Sequence, residues 1–167
     1  RDVSVYKKQM VRLALAAFFI SIIICLYIWL PTKNPTAYLS LLKSKEFFLK
    51  GNNQEVILLC NRIIAKDPAF LAAYPLLADT YQRLGDRENA LRYYFDYALC
   101  SEKKHDKKHL ANAYIGIAWV YHQWGEYPKA FDFYNQAITL SKESHDRLNE
   151  AVALRKLAVW YMDKEDY

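Results

Sequence analysis

Glycine and cysteine are scarce in this chain of 167 residues, and their scarcity excludes several classes of site. With only four glycines, the sequence has no glycine-rich phosphate-binding loop and no nucleophile elbow. Its three cysteines, Cys25, Cys60 and Cys100, form neither a CxxC pair nor a zinc-binding spacing. The sequence also lacks paired catalytic carboxylates and clusters of metal ligands. We therefore expect no enzymatic activity, no cofactor and no metal site.

A large basic surface is lacking as well. The formal net charge is +5, but from residue 38 onward basic and acidic residues are interleaved. The basic cluster that remains, Lys103, Lys104, Lys107 and Lys108, is typical of a solvated turn between helices. Nucleic-acid-binding proteins usually carry a larger basic face. We therefore expect no nucleic-acid partner.

The longest apolar segment, residues 13–30, contains no charged side chain. A helix of this length crosses about 30 Å of hydrocarbon, and aromatic residues near its ends are typical of membrane interfaces. We predict an N-terminal flank and transmembrane helix over residues 1–31, lipid contact through residues 11–30, and a linker at residues 32–36. The anchor residues that we single out are Leu13, Phe18, Ile22, Leu26 and Trp29.

Two other interpretations fit this segment less well. A signal peptide has an apolar core of about 7–15 residues, whereas this run is longer and lacks a small-residue cleavage site. A buried helix of a soluble domain would carry some polar face. The membrane anchor is therefore preferred, and it places Cys25 in lipid.

Charges on either side of the apolar segment predict its orientation. The basic residues that precede it are Arg1, Lys7, Lys8 and Arg12, whereas residues 31–42 after it contain only Lys33. Because cytoplasmic flanks carry the excess of Lys and Arg, we expect a cytoplasmic N-terminus. The rest of the chain is then extracytoplasmic, in the periplasm if the protein is bacterial. The sequence begins without methionine and ends within a repeat, so we expect it to be a segment of a longer protein.

Two segments of the chain match each other at a spacing of 40 residues. Tyr74, Ala78, Tyr81, Gly85, Ala90 and Tyr94 recur as Tyr114, Ala118, Tyr121, Gly125, Ala130 and Tyr134. A third copy begins with Leu154, Leu157, Ala158 and Tyr161. Internal repeats at a fixed period predict stacked supersecondary units, none of which buries its apolar face alone. Folds of this kind usually bind other proteins.

This spacing resembles the tetratricopeptide family, with Tyr and Ala where the family usually has Trp and Gly. The recurrence of His105-Asp106 as His145-Asp146 resembles the longer subclass, which has about 40 residues per unit. The resemblance implies an all-α fold, in which the predicted transmembrane helix is followed by an α-solenoid of antiparallel helix pairs. The repeats are expected over residues 37–167, as units 37–70, 71–110, 111–150 and a partial 151–167.

Turn residues recur with the repeat. The glycines expected in the left-handed conformation between the two helices of a unit are Gly51, Gly85 and Gly125. We expect His105 and His145 to end the second helices, and Asp106 and Asp146 to cap the helices that follow. Because the His-Asp pair recurs with the period, we interpret it as a turn device and not as an active or metal site.

Several single residues carry expectations of their own. Gly116, inside a first helix, is expected to permit close helix contact, and Pro75 is expected in the first turn of its helix. Cys60 and Cys100 are expected to be buried free thiols. Glu165 replaces the turn glycine in the last unit, so that turn should be shaped differently.

The first helices of tetratricopeptide stacks line a concave surface, so the resemblance implies a partner-binding groove. The residues that it assigns to the groove are Lys45, Phe48, Asp79, Gln82, Arg83, Trp119, His122, Gln123, Arg155 and Met162. Aromatic and arginine side chains are frequent hot spots, but Trp119 and Met162 fit packing between helices equally well. Some family members clamp a chaperone's C-terminal carboxylate with Lys and Asn, and here Leu41, Lys45, Leu76 and Asp79 occupy those positions.

These features predict a membrane-anchored scaffold or adaptor that binds protein partners within a larger cell-envelope complex. An accessory protein of a flagellar motor or a secretion machine is an example. Two alternatives stay open: a regulatory repeat module of a larger sensory or enzymatic membrane protein, and a receptor of the mitochondrial-import type. We also expect Val159 and Trp160 to lack a covering helix, which predicts further repeats or a partner there.

Overall fold

A computed structural model of the protein describes residues 34–165 and, before them, Phe18 and Ser21. From residue 34 onward the described part is built from helices and short turns, without strands. Its helices are α1 (Pro35–Leu49), α2 (Asn53–Lys66), α3 (Ala73–Arg83), α4 (Arg87–Lys103), α5 (Lys107–Gln123), α6 (Tyr127–Glu143) and α7 (Arg147–Glu165). The all-α stack of helix pairs expected from the sequence is confirmed for this part of the chain.

Successive helices pack on one another in the order of the chain. From α3 onward each helix contacts the next, and in addition α3 contacts α5 and α5 contacts α7. The first helix of a unit therefore touches the first helix of the next unit as well as its own partner. Residues on neighbouring first helices can thus act together.

The first unit begins slightly earlier than expected. α1 starts at Pro35, inside the segment assigned to the linker. The side-chain oxygen of Asn34 accepts hydrogen bonds from the backbone N–H of Ala37 and from the hydroxyl of Thr36. Proline suits the first helical position because an N–H there would have no intrahelical acceptor. Pro35 therefore starts this helix.

Glycine ends the first helix of each complete unit. Gly51, Gly85 and Gly125 have φ angles of 77°, 75° and 73°, as the sequence predicted. At the second of these turns, the N–H of Gly85 donates to the carbonyl of Gln82 (3.0 Å) and that of Asp86 to the carbonyl of Tyr81 (2.9 Å). These bonds satisfy carbonyl groups that a helix end would otherwise leave unpaired.

Histidine takes the place of glycine between units. His105 and His145 have φ angles of 54° and 53°, and the N–H of Asp106 donates to the carbonyl of Ser101 at 2.9 Å. The sequence predicted that these histidines end helices, but not that they adopt the left-handed conformation. That conformation costs a residue with a Cβ about 1–2 kcal/mol.

The aspartates after the histidines cap the next helices, as predicted. The Asp106 carboxylate accepts a hydrogen bond from the backbone N–H of His109 (3.1 Å) at the start of α5. The Asp146 carboxylate accepts from the N–H of Asn149 (3.2 Å) at the start of α7. A side-chain acceptor at this position satisfies an N–H that has no partner within the helix.

Small residues beside large rings build the core between units. Ala78, Ala90 and Tyr94 belong to one buried cluster, which α5 completes with Ala113, Ile117 and Val120. A Cβ at Gly116 would overlap the ring of Tyr94, so the close contact predicted for this glycine is confirmed. Pro75 lies in the first turn of α3, also as expected.

The two cysteines of the repeats differ in exposure. Both thiols are free, and Cys60 is buried as expected. Cys100 is only half-buried, because it lies at the edge of its unit with its sulfur 3.7 Å from the carbonyl of Pro68. The expectation of a buried thiol is therefore wrong for Cys100.

The end of the last unit also differs from expectation. Trp160 is only 4% exposed, because its Nε1 donates to the carbonyl of Tyr127 at 3.0 Å and its ring packs against Phe131 at 5.1 Å. The expectation that Trp160 lies uncovered is wrong, whereas Val159 is exposed. At Glu165, where earlier units turn, α7 is still helical.

The predicted membrane anchor lies almost wholly outside the described residues. Leu13, Ile22, Leu26 and Trp29 are outside them, and so is Cys25. Phe18 is helical and 61% exposed, and the Ser21 hydroxyl donates to its carbonyl at 2.8 Å. Among residues that the structure describes, no helix has both the length and the apolar character needed to cross a bilayer. The anchor stays a prediction.

Candidate protein-binding groove

First helices from all four units line a groove of about 460 Å³. α1 contributes Lys45, α3 contributes Pro75 and Asp79, α5 contributes Asn112, and α7 contributes Asn149. This agrees with the surface that the tetratricopeptide resemblance implied, and two of the predicted groove residues, Lys45 and Asp79, line the cavity itself. Charged, amide and apolar groups thus converge from four consecutive units.

The residues assigned to the groove from the sequence occupy three environments. Lys45, Arg83, Gln123, Arg155 and Met162 are exposed, Phe48, Asp79, Gln82 and Trp119 are half-buried, and His122 is buried. The exposed and half-buried members are available to a ligand, whereas His122 is not. Their individual contacts decide what each can do.

Asp79 is a half-buried carboxylate that is oriented by a hydrogen bond from the second helix of its unit. The hydroxyl of Tyr94 in α4 donates to its Oδ1. Burial raises the pKa of Asp79 above its ordinary value, whereas the Tyr94 bond and the charges of Arg83 and Lys156 act in the opposite direction. Asp79 therefore presents an oriented acceptor to the groove.

Trp119 lies under the ammonium group of Lys156. The Nζ of Lys156 is 3.0 Å from the centroid of the indole, a cation–π contact of the kind worth about 0.5–2 kcal/mol. Burial, and after it the charge of Arg155, lowers the pKa of Lys156 to about 8, and Asp79 partly opposes this shift. Burial beside Trp119 thus disfavours the charged form of this lysine.

Two side-chain contacts join successive first helices. Arg83 of α3 stacks its guanidinium 3.5 Å from the centroid of Phe48 in α1 and donates to the Phe48 carbonyl at 2.6 Å. Gln82 of α3 donates to Gln123 of α5 at 2.5 Å. These contacts cross the unit boundaries, so they set the relative position of the groove-lining helices.

His122 is buried between α5 and α7, away from the open surface. Its Nε2 lies 2.8 Å from the carboxylate of Asp163 in α7, and its ring packs edge-on against Trp119 at 5.3 Å and near Tyr127 at 5.8 Å. The contacts on several sides explain its burial, and they give it a packing role. His122 holds the last helix against α5.

Lys156 of α7 covers the predicted groove residue Trp119, and sequence reasoning missed it. Its equivalents in the two preceding units are Leu76 and Gly116, both buried, so the repeat pattern assigned its position to packing. A charged residue at an apolar repeat position was the available signal. Asn112 and Asn149 were missed because they precede the repeat motif, in the second turn of α5 and the first turn of α7, respectively. Within residues 34–165, no group of His, Cys, Asp and Glu is arranged to hold a metal ion.

Comparison with known families agrees with this geometry. The family model of the tetratricopeptide repeat matches residues 68–143, which comprise α3 to α6 and the turns around them. This match covers less than half of the chain, and it shows a likeness to tetratricopeptide repeats over that segment. No curated protein matches the chain significantly.

Solved structures superimpose on most of the chain. BtubC (BKLC) from P. vanneervenii is 18% identical with a TM-score of 0.63, and the match covers 74% of this chain and 53% of BtubC. The nearly identical TPR-like repeats of a kinesin-light-chain candidate from Podosopora anserina are 17% identical with a TM-score of 0.62, covering 77% of this chain and 67% of theirs. A single-residue variant of the Podosopora anserina protein is 16% identical with a TM-score of 0.62, and the match covers 77% of this chain and 66% of the variant.

The chain thus spans about half of BtubC and about two thirds of the other two. At these identities the likeness shows the fold and not a shared activity. Tetratricopeptide repeats generally serve as scaffolds for protein interaction and not as catalysts. The concave layer of first helices is the surface that this fold offers to a partner.

Proposed function

We propose that this protein is a membrane-anchored tetratricopeptide scaffold that holds a segment of a protein partner in its groove, as part of a cell-envelope assembly. The observation that carries the proposal is the convergence of first helices from four units on one groove. The period of 40 residues and the histidine turns support placing the repeats in the longer tetratricopeptide subclass.

The groove has the chemistry of a peptide-binding surface. Asp79 lines the cavity with an oriented acceptor, and two predicted residues on the same groove-lining helices, Trp119 of α5 and Arg155 of α7, add a half-buried ring and an exposed cation outside the cavity lining. Tryptophan and arginine are the residue types most enriched among interface hot spots. Because these groups lie on rigid helices, a partner would order few of them on binding, which limits the entropic cost.

Anchoring would raise the efficiency of such a scaffold. A bilayer confines the scaffold and its partners to two dimensions, which increases their effective concentration. The uncharged run at residues 13–30 and its basic N-terminal flank support this part of the proposal. The same flank supports an extracytoplasmic location of the repeats.

A topology reporter tests the anchor. Alkaline phosphatase fused after Tyr167 should be active in a bacterial host, because that enzyme folds only outside the cytoplasm. Replacing Leu26 and Ile22 by arginine should abolish the activity, since charges at the centre of a span are costly. Phosphatase activity that persists in the arginine variant, or an inactive fusion of the unaltered chain, would contradict an extracytoplasmic repeat domain.

Site-specific photo-crosslinking in membranes tests the groove. A photoreactive phenylalanine analogue at Lys45 or Arg155 should capture the same partner, whereas the analogue at Leu99 on α4 should not, because Leu99 is exposed on a second helix. When the photoreactive analogue replaces Arg155, an additional Trp119→Ala substitution should weaken capture of the partner by about tenfold or more, as loss of a hot-spot ring does.

Phe95→Ala is the matched control for Trp119→Ala, because it removes an exposed ring from α4. Circular dichroism should report unchanged helicity for both variants. Capture chiefly at Leu99 would assign binding to the second helices. Loss of helicity in Trp119→Ala would assign Trp119 to the core, and either result would overturn the groove as the binding site.

A further inference from the structure

Several cationic side chains of the groove-lining helices make no ion pair. The residues concerned lie on α1, α3, α5 and α7, and they are Lys45, Arg83, Lys108, Arg155 and Lys156. Lys45 and Lys108 line the cavity itself. Within residues 34–165, no carboxylate lies within ion-pair distance of any of these five side chains. Their charges are therefore not neutralised at close range by this part of the chain.

Arg155 and Lys156 carry this positive charge onto the last helix. Their repeat equivalents in α3, Pro75 and Leu76, both line the cavity. Lys156 is half-buried with its Nζ over the Trp119 ring, and Arg155 is exposed. Two cations that follow each other in the chain thus lie beside the aromatic ring of the groove.

The positive charge at Lys156 is incompletely compensated. Burial, and after it the charge of Arg155, lowers the pKa of Lys156 to about 8, and the raising effect of Asp79 is smaller than either. An anion bound between Arg155 and Lys156 would oppose both of the effects that disfavour the charged lysine. The pair therefore has the electrostatics of an anion-binding site.

Three carboxylates on or next to the same helices are already engaged within the protein. Asp79 accepts a hydrogen bond from α4, and Asp146 caps α7. The carboxylate of Asp163 lies 2.8 Å from Nε2 of His122. These acidic groups hold helices together, whereas the five cations are available to a ligand. The charge that a ligand must complement is accordingly positive.

The other groups of the cavity fit a polypeptide better than a nucleic acid. Asn112 and Asn149 contribute amides to the lining, and Pro75 and Leu76 contribute apolar surface. An amide side chain can both donate to and accept from a peptide backbone. The cations are separated by these groups and do not form the continuous basic face that a phosphate backbone requires. The anions that fit are therefore carboxylates of a peptide.

We infer that the groove binds an acidic segment of the partner protein, with one carboxylate side chain between Arg155 and Lys156 and others near Lys45 and Lys108. This inference rests on the proposed function, because it specifies the chemistry of the segment that the groove holds. A carboxylate at the first of these positions forms charge-assisted hydrogen bonds with both cations. Complementary charge also speeds the encounter of the two proteins.

Peptide selection tests the inference without knowledge of the partner. A phage library of random twelve-residue peptides is selected on the 167-residue chain in detergent, and a selected peptide is labelled with fluorescein. We expect Asp and Glu to be enriched among the selected peptides relative to the library. Fluorescence anisotropy should show saturable binding of the labelled peptide, which Trp119→Ala weakens by about tenfold.

Substitutions of the two cations test the position of the carboxylate. Lys156→Gln should raise the Kd by about tenfold, because it removes a charged donor that is half-buried. Arg155→Gln should raise it by about two- to fivefold, since ion pairs of exposed side chains contribute less. Lys156→Arg keeps the charge and should bind much better than Lys156→Gln. Lys142→Gln is the matched control, because it removes one charge from an exposed site of α6 and should leave the Kd unchanged.

The outcomes separate this inference from the proposed function. Peptides that depend on Trp119 but are not enriched in acidic residues would overturn the inference and leave the groove as the binding site. Equal affinity of the Lys156→Gln and Lys142→Gln variants would overturn it as well. Displacement of the peptide by an oligodeoxythymidine at a similar concentration would indicate a general polyanion surface, with the same consequence. Absence of saturable binding, or binding that Trp119→Ala does not weaken, would contradict the groove itself and the inference with it.

Discussion

Replacing Gly116 by alanine should lower the free energy of unfolding by about 1–3 kcal/mol, the usual cost of overpacking a filled core. Helix propensity alone predicts the opposite sign, because alanine is favoured over glycine inside a helix by about 1 kcal/mol. The steric clash of the new methyl group with a neighbouring ring outweighs this gain in helix propensity. A Cβ at this position would overlap the ring of Tyr94, which is 4% exposed and bonded to Asp79, so the ring has little room to move. Urea denaturation followed by circular dichroism measures the difference.

A double-mutant cycle separates the clash from any general effect of the substitution. In a Tyr94→Ala background, the ring that opposes the new Cβ is gone. Gly116→Ala should then be neutral or stabilising by up to about 1 kcal/mol, as propensity dictates. The two substitutions are in direct contact, so their effects should not add. Equal destabilisation by Gly116→Ala in both backgrounds would contradict the proposed contact.

Gly116 also illustrates which contacts can be predicted from the sequence and which cannot. A glycine inside a helix is costly, so the sequence predicts a close approach of some neighbour, and the structure confirms it. The sequence does not identify Tyr94 as that neighbour. The contact joins α4 to α5, and its geometry depends on how one unit is rotated onto the next. Local spacing contains no information on that rotation.

The sequence also predicts the conformation of some turns and not of others. Glycine at positive φ is expected wherever a helix ends sharply, so Gly85 and its equivalents were predictable from the repeat. His105 adopts nearly the same conformation although a Cβ disfavours it. Histidine is enriched among the few residues other than glycine that adopt this conformation, but most histidines do not adopt it, so the residue type alone does not predict the turn. The bond from the N–H of Asp106 to the carbonyl of Ser101 reveals the turn only in the structure.

The groove follows from the fold, but its chemistry follows from differences between the units. Leu76, Gly116 and Lys156 occupy one repeat position, where they fill the core, admit the Tyr94 ring and cover Trp119, respectively. Periodicity predicts that such a position is buried, and it is least informative where a unit departs from the pattern. Those departures are where each unit acquires its own function. Lys156 was missed for this reason.

Tyr94 and Tyr134 are repeat equivalents with different hydrogen bonding. The Tyr94 hydroxyl donates to Asp79, whereas the Tyr134 hydroxyl is buried and has no hydrogen-bond partner among the described residues. The cause lies in the repeat itself, because Trp119 occupies the position of Asp79 in the next unit and offers no acceptor. The same conservative substitution at the two tyrosines should therefore have different consequences.

Tyr94→Phe should lower the free energy of unfolding at pH 7 by about 1.5–3 kcal/mol, because it removes a hydrogen bond to a half-buried carboxylate. Tyr134→Phe should be neutral or stabilising by about 1 kcal/mol, because it removes a buried hydroxyl that makes no bond. Urea denaturation at pH 7 compares the two variants with the unaltered chain. Equal destabilisation by both substitutions would contradict the assigned bonding.

The pH dependence of the Tyr94→Phe effect identifies Asp79 as the acceptor. Burial raises the pKa of Asp79, and the Tyr94 hydroxyl opposes that shift, so removing the hydroxyl should raise the pKa of Asp79 further. A carboxyl whose pKa is higher in the folded state contributes stability that is complete below its unfolded pKa, about 3.9, and is lost as the pH rises through its folded pKa. The cost of Tyr94→Phe should therefore be largest at pH 7 and smaller at pH 4, where a larger fraction of Asp79 is protonated. In an Asp79→Asn background the cost should be the same at both pH values, and a pH dependence that survives there would assign the titration to another group.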